Sequence, residues 1–218
     1  MCCAPAPRAT PPVALPSQDR DRVGGRLREH YRHWRQIGNK AVRRWVRHGV
    51  KFDFLDGPPA PRPAFDSAER ISDPVRFDAT KETVLKYYKI GALEHVPQGE
   101  EGQGTYMTFF PVEKKTPGEW RGCLDARPVN EALLHEHFKM EGLGTARQLV
   151  RRDDFMTTLD ITEAYPHLLI SPEHRRYFRF VWEGVHYQYR ALCFGVASAP
   201  RIFTKLLRPV IQLLRASG

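Results

Sequence analysis

The run Phe155-Met156-Thr157-Thr158-Leu159-Asp160-Ile161-Thr162-Glu163-Ala164-Tyr165-Pro166-His167 sets the expectation for everything around it. Alternation over 155–159 predicts a short strand that delivers Asp160 at its end. A helix is then expected to start at Asp160 or Thr162 and to run through Ala164 to Leu169. A carboxylate at a strand end, beside the free N–H groups of a helix start, suits the holding of Mg²⁺ against a triphosphate. The carboxylate is a hard oxygen ligand, and the helix start adds donors and a positive dipole end. Taken alone, such an Asp more often caps a helix. The rest of the chain has to decide.

With 218 residues, 41% hydrophobic and 27% charged, the chain is long enough for a real core and ordinary for a globular protein. Its net charge of +9 is not spread evenly. Residues 1–51 hold 12 Lys/Arg against 3 Asp/Glu, whereas residues 52–218 hold 22 of each. The four cysteines, Cys2, Cys3, Cys123 and Cys193, form no C-x-x-C pair that would offer a zinc site. Cys123 and Cys193 sit in apolar surroundings and read as small core residues. The N-terminus has no apolar leader core, and no run approaches the roughly 18 apolar residues a membrane span needs. The expectation is an intracellular protein, of cytoplasm or nucleus, with no membrane partner.

Residues 1–25, with Pro5, Pro7, Pro11, Pro12 and Pro16, read as a disordered Pro-rich tail. A basic helical segment with a Pro-rich connector follows over 26–77. Leu27, Tyr31, Trp34 and Ile37 make one helical stripe, and a second short helix is expected from Asn39 to Arg47, ended by His48-Gly49. Arg26, Arg28, Arg32, Arg35, Lys40, Arg43, Arg44 and Arg47 read either as a phosphate-binding surface or as a solvated helix face. Trp34 and Trp45 read as core. A helix is expected over 78–90, capped by Asp78, with Val84, Leu85 and Tyr88 inward. Ala92 to Val96 is short enough for a strand.

Thr105 to Val112 and Trp120 to Leu124 predict an antiparallel hairpin with Pro117-Gly118 at its turn. Lysines on one arm and Arg121 on the other can close over a polyphosphate, lysine as a mobile point charge and arginine as a planar bidentate donor. Ala146 to Arg151 reads as a short helix. Tyr177 to Trp182 and Val185 to Arg190, separated by Glu183-Gly184, predict a second hairpin. Gly195 allows close backbone approach, Ser198 with Ala199-Pro200 can open a helix, and Pro209 should kink or split that helix.

Three motifs in order resemble a retrotransposon reverse transcriptase of the DIRS or gypsy-like kind, over about residues 24–218. They are Phe110-Pro111-Val112-Glu113-Lys114-Lys115 with Trp120-Arg121-Gly122-Cys123-Leu124-Asp125-Ala126-Arg127-Pro128-Val129-Asn130; Leu159-Asp160-Ile161-Thr162-Glu163-Ala164-Tyr165; and Leu192-Cys193-Phe194-Gly195-Val196-Ala197-Ser198-Ala199-Pro200-Arg201-Ile202-Phe203. The resemblance implies an α+β right-hand polymerase, with fingers and an incomplete palm over 78–218, that takes an RNA or DNA template-primer and dNTPs. Asp160 would be catalytic and, with the Ile161 carbonyl, would ligate Mg²⁺. Lys114, Lys115 and Arg121 would grip the triphosphate together with the backbone of Glu163 and Ala164. Tyr165 would lie under the sugar, and Phe194 and Gly195 would line the pocket.

The family's aromatic-x-Asp-Asp hairpin is absent from this sequence. The acids after Asp160 are Glu163, Glu173 and Glu183. Two-metal phosphoryl transfer needs carboxylates on both sides of the ion pair. The chain is therefore expected to be a truncated nucleotidyltransferase fragment, inactive alone. The alternatives are a non-catalytic nucleic-acid-binding remnant and a pseudogene product.

Overall fold

The computed structural model describes residues 22–37, 39–134, 136–140 and 142–216. The expected tail as far as residue 21, with Cys2 and Cys3, lies outside the described residues. Val23, Gly24 and Gly25 are buried, and Gly25 N–H donates to the Pro166 carbonyl at 2.9 Å.

Helices α1 (Arg26–Glu29) and α2 (Tyr31–Trp34) replace the single helix expected, because His30 leaves helical geometry at ψ 18°. The stripe survives the break: Trp34 is buried, and Leu27, Tyr31 and Ile37 pack against the core. Helix α3 (Lys40–His48) follows its sequence signals. Asn39 Oδ1 accepts from the N–H groups of Ala41 and Val42 at 3.0 and 3.1 Å, and Gly49 with φ 87° ends the helix. Val42 and Val46 point into the core while Arg44 and Arg47 point out.

Helix α4 (Pro74–Lys89) starts earlier than Asp78. Asp73 is the cap, accepting from Val75 N–H at 3.1 Å, and Pro74 fills the first helical position. Leu85 and Tyr88 are exposed, and the buried face is Ala79, Thr80, Thr83, Val84 and Tyr87. The threonine hydroxyls donate to the Arg76 and Ala79 carbonyls at 2.6 and 2.7 Å, so they are satisfied within the helix and can be buried.

Strands β1 (Leu93–His95), β2 (Phe109–Glu113), β3 (Trp120–Leu124), β4 (Arg179–Trp182) and β5 (Val185–Tyr189) form two sheets. β2 and β3 make the first expected hairpin, with Phe109 opposite Leu124 and Val112 opposite Arg121. Thr105 and Tyr106, expected within its first strand, instead make isolated bridges to Arg62 and Arg179. β4 and β5 join through Glu183 and Gly184, both left-handed at φ 47° and 74°, the two-residue turn that matches strand twist. β1 adds to β5, giving the order β1-β5-β4. Arg179 is buried in this sheet. Its guanidinium donates to Gln188 Oε1 at 3.0 Å and to the carbonyls of Glu100 and Gln103 at 2.9 and 2.8 Å, and it pairs with the Glu100 carboxylate. This docks the Gly-rich 98–104 loop onto the sheet.

The strand expected at 155–159 is not formed. After α5 (Arg127–Ala132) and α6 (Leu143–Leu149) the chain runs to Ile161 without strand pairing among the described residues. Phe155, Met156 and Leu159 are 104%, 79% and 87% exposed. Alternation specifies which side chains share a face, but a strand also needs a neighbour to bond, and none pairs with this run among the described residues. The helix expected through Leu169 shrinks to one 3₁₀ turn, Tyr165–His167. Pro166 lacks an N–H and disfavours helical geometry at Tyr165.

Helix α7 (Ala199–Ala216) runs unbroken through Pro209, so of the kink or split expected there the split does not occur. Ile202 and Leu206 are buried and Phe203 and Val210 lie against the core, whereas Leu214 is 61% exposed. Ser198 precedes this helix, but its buried Oγ has no hydrogen-bond partner among the described residues.

Gly195 sits at φ 103°, and a β-carbon there would lie 2.1 Å from the Leu124 carbonyl oxygen. Gly195→Ala should therefore cost about 2–4 kcal/mol. For a chain of this length that is a fall in Tm of roughly 5–15 °C, read by thermal denaturation. An unchanged Tm would show that this junction is not closed.

Candidate nucleotide site

β3 alternates inward Gly122 and Leu124 with outward Arg121 and half-exposed Cys123. Leu124 N–H donates to the Phe194 carbonyl at 3.3 Å, which sets the segment before α7 against the end of β3. Asn130 on α5 clamps the same segment, donating to the Gly195 carbonyl at 2.9 Å and accepting from Ala197 N–H at 2.8 Å. The Arg121 guanidinium consequently lies 4.4 Å over the Phe194 ring. Tyr165 comes in from the 3₁₀ turn, its ring 4.8 Å from Phe194 and edge-on to Phe203 at 5.6 Å. Burial raises the Tyr165 phenol above its ordinary value, against the opposing Arg121 charge, so its hydroxyl stays neutral.

Glu163 adjoins this cluster in left-handed backbone geometry at φ 49°. Its carboxylate forms an ion pair with Lys86 of α4, and its side chain is only 13% exposed. The negative charge helps raise the phenol of buried Tyr87, after burial itself. Neither Lys86 nor Asn130 stands out in the sequence as a site residue. Asn130 is legible only as the end of a motif, and Lys86 looks like any surface lysine.

Of the expected residues, Arg121, Tyr165, Phe194 and Gly195 come together, with Glu163 and half-buried Ala164 alongside. Lys114 instead closes its own hairpin, its ammonium 3.0 Å from Glu119 and its N–H donating to the Glu119 carbonyl at 2.7 Å. Lys115 is exposed beside it. Asp160 and Ile161 are exposed on the unpaired segment, and Asp160 has no hydrogen-bond or ion-pair partner among the described residues. His167 braces the turn after Asp160, its Nε2 3.1 Å from the Thr162 carbonyl.

Mg²⁺ demands near-octahedral oxygen coordination. Asp160 and the Ile161 carbonyl supply two donors, and no group of three His, Cys, Asp or Glu among the described residues is placed to hold a metal. The donor set of the described residues falls short of a cation site.

A second charged surface lies on α1–α3. Arg28, Arg32, Arg35, Lys40, Arg44 and Arg47 are exposed, Arg26 and Arg43 half-buried. Arg43, Arg44, Arg47, Lys40 and His48 line a groove with Tyr31, whose ring centroid is 5.5 Å from the Arg47 guanidinium. Arg28, Arg32, Arg35, Lys40, Arg43, Arg44 and Arg47 have no carboxylate partner among the described residues.

The chain is 26% identical over 147 residues to the Pol polyprotein of equine infectious anemia virus (strain Wyoming), covering 64% of this chain and 12% of the polyprotein. No family model matches it. Among solved structures it is similar to prototype foamy virus protease-reverse transcriptase (TM-score 0.55, 22% identity, 77% of this chain and 21% of that one). It is also similar to the foamy viral protease-reverse transcriptase dRH in complex with double-stranded DNA (TM-score 0.59, 20% identity, 98% and 38%). The fold is therefore reverse-transcriptase-like, and the chain spans a small part of the proteins it matches. No helix among the described residues is long and apolar enough to cross a membrane.

Burial holds the imidazoles of His167 and His174 below their ordinary 6.5. The unfolded chain thus takes up protons first, and stability is lost as pH falls from 6.5 towards the folded values. Asp125, Glu136 and Glu173 are held below their ordinary values by paired cations, so their contribution is lost only at lower pH. Tm should therefore drop between pH 7 and pH 5, and drop less in His167→Gln. Equal drops would remove His167 from the account.

Proposed function

We propose that this chain is part of a retroelement reverse transcriptase, of the DIRS or gypsy-like kind, and serves template-directed DNA synthesis from dNTPs on RNA or DNA. The observation that carries this reading is the Arg121–Phe194–Tyr165 stack, assembled from three segments far apart in sequence. Stacking on Phe194 leaves the planar edge of the Arg121 guanidinium free to donate to phosphate oxygens. Tyr165 offers a flat apolar floor beneath a sugar. The N–H groups of Glu163 and Ala164 would donate to the phosphates, and Lys115 would add positive charge from the hairpin, joined by Lys114 once it leaves Glu119.

In the reaction proposed, the primer 3′-oxygen bonds to the α-phosphorus as the bond to pyrophosphate breaks. The cations named here would steady the leaving charge. Mg²⁺ would be held by Asp160 and the Ile161 carbonyl with ligands from outside the residues of this chain. Such work belongs in cytoplasm or nucleus.

The 218-residue chain given primed RNA, dNTPs and Mg²⁺ should not extend the primer. Incorporation that vanishes in Asp160→Asn would overturn that expectation. With a segment carrying an x-Asp-Asp hairpin appended, extension should appear, and Tyr165→Ala should then raise use of ribonucleotides. Each ~1.4 kcal/mol of steric rejection recovered is tenfold in kcat/KM selectivity. A core role for Tyr165 predicts instead an unaltered sugar ratio and a loss of about 3–5 kcal/mol of stability.

A second reading, a nucleic-acid-binding remnant, rests on the seven basic residues without carboxylate partners. Binding to the α1–α3 face should weaken with salt, each phosphate contact adding about 0.7–0.9 to the log–log slope. Replacing Arg28, Arg32, Arg44 and Arg47 by Gln should flatten that slope, whereas deletion of the whole segment would remove Trp34, Val42 and Val46 from the core. An unchanged slope moves binding elsewhere.

A further inference from the structure

Lys86 lies on the outer side of α4 and carries out none of the roles assigned above. Its ammonium nevertheless forms an ion pair with Glu163, 77 residues away in sequence. The two partners are not alike. Lys86 is 48% exposed, while Glu163 is 13% exposed. Glu163 also holds a left-handed backbone at φ 49° without being glycine. A nearly buried carboxylate in strained geometry persists only where a specific partner holds it.

The segment around it is otherwise lightly held. Residues from Phe155 to Thr162 are exposed, and strand pairing is absent over Phe155–Ile161 among the described residues. The His167–Thr162 bond braces the turn from one side. The Lys86–Glu163 pair braces it from the other and connects it to α4, whose own inner face is fixed by Thr83, Val84 and Tyr87. α4 packs in turn on β3, which carries Arg121.

We propose that Lys86 is a positioning residue: through Glu163 it ties α4 to the turn after Asp160 and holds the main-chain N–H groups of Glu163 and Ala164 in place for a nucleotide triphosphate. The nucleotide part rests on the function proposed above, while the tether itself rests on geometry alone. Lys86 touches no reacting atom in this assignment. Its charge is spent on Glu163.

Two measurements on the full chain separate the parts. The first is backbone amide exchange over residues 163–168, where Leu168 N–H donates to the Tyr165 carbonyl at 3.0 Å, without ligand, in wild type, Lys86→Gln, Glu163→Gln and the swap Lys86→Glu with Glu163→Lys. Circular dichroism confirms that each variant is folded. Lys86→Gln should speed exchange of this segment about tenfold, and the swap should recover most of the loss. Unchanged exchange in Lys86→Gln overturns the tether, and so does a swap that recovers nothing.

The second is dTTP binding in Ca²⁺ with a primed poly(A) template, with Arg121→Ala as the control for the nucleotide reading. Lys86→Gln should weaken binding about tenfold, with recovery in the swap. Weakening by Arg121→Ala but not by Lys86→Gln, alongside faster exchange, overturns the positioning role. Tighter binding in Glu163→Gln also overturns it, because Lys86 would then be a phosphate ligand that Glu163 withholds. No binding by wild type counts against the nucleotide reading and the positioning claim built on it, and the exchange result still decides the tether.

Discussion

The candidate site depends on how closely two stretches of backbone approach each other. The Leu124 carbonyl points at Gly195 from a distance no β-carbon would tolerate, and one residue earlier Leu124 N–H meets the Phe194 carbonyl. Asn130 satisfies the Gly195 carbonyl and the Ala197 N–H of the same segment. Together these contacts fix the β2–β3 hairpin against the start of α7, and Arg121 comes to rest over Phe194 as a consequence. A side chain at Gly195 would push the two stretches apart and separate guanidinium from ring. The aromatic–cation stack is thus a product of backbone packing rather than of its own modest attraction.

Features governed by local chemistry were legible in the sequence. Glu183-Gly184 can form a two-residue turn, Asn39 can cap a helix, and Gly195 can approach a carbonyl, whatever the rest of the chain does. The start of α4 was legible too, in Asp73-Pro74, but the expectation settled on Asp78 and took Leu85 and Tyr88 for the inner face. Thr80 and Thr83 won that face because each hydroxyl bonds to its own helix, which hydrophobicity patterns do not register. The strand at 155–159 failed for the opposite reason: its pattern is correct, and its pairing depends on a neighbour that local pattern cannot supply. The Lys86–Glu163 pair had no signal at all, since neither residue is unusual and nothing in sequence relates them.

Charge is handled differently in the two halves. From Lys51 onward, carboxylates answer many of the cations, as in Lys51–Glu173, Arg175–Glu94 and the Glu136 pairs with Arg201 and Lys205. On α1–α3, Arg28, Arg32, Arg44 and Arg47 are exposed and have no carboxylate partner among the described residues, while Trp34, Val42 and Val46 hold the same helices in the core. The basic segment is therefore both a structural part of the fold and a positively charged surface. Substitution of Arg28, Arg32 or Arg44 removes no buried side chain.

The extended run from Phe155 to Leu159 has consequences for handling the protein in concentrated solution. Its backbone N–H and carbonyl groups lack strand partners among the described residues, and its apolar side chains Phe155, Met156 and Leu159 are exposed. Such a segment can pair with the same segment of another molecule, and further copies can add in the same way. Self-association through this run would grow with concentration. A lysine or proline placed at Met156 would be the natural gatekeeper against aggregation.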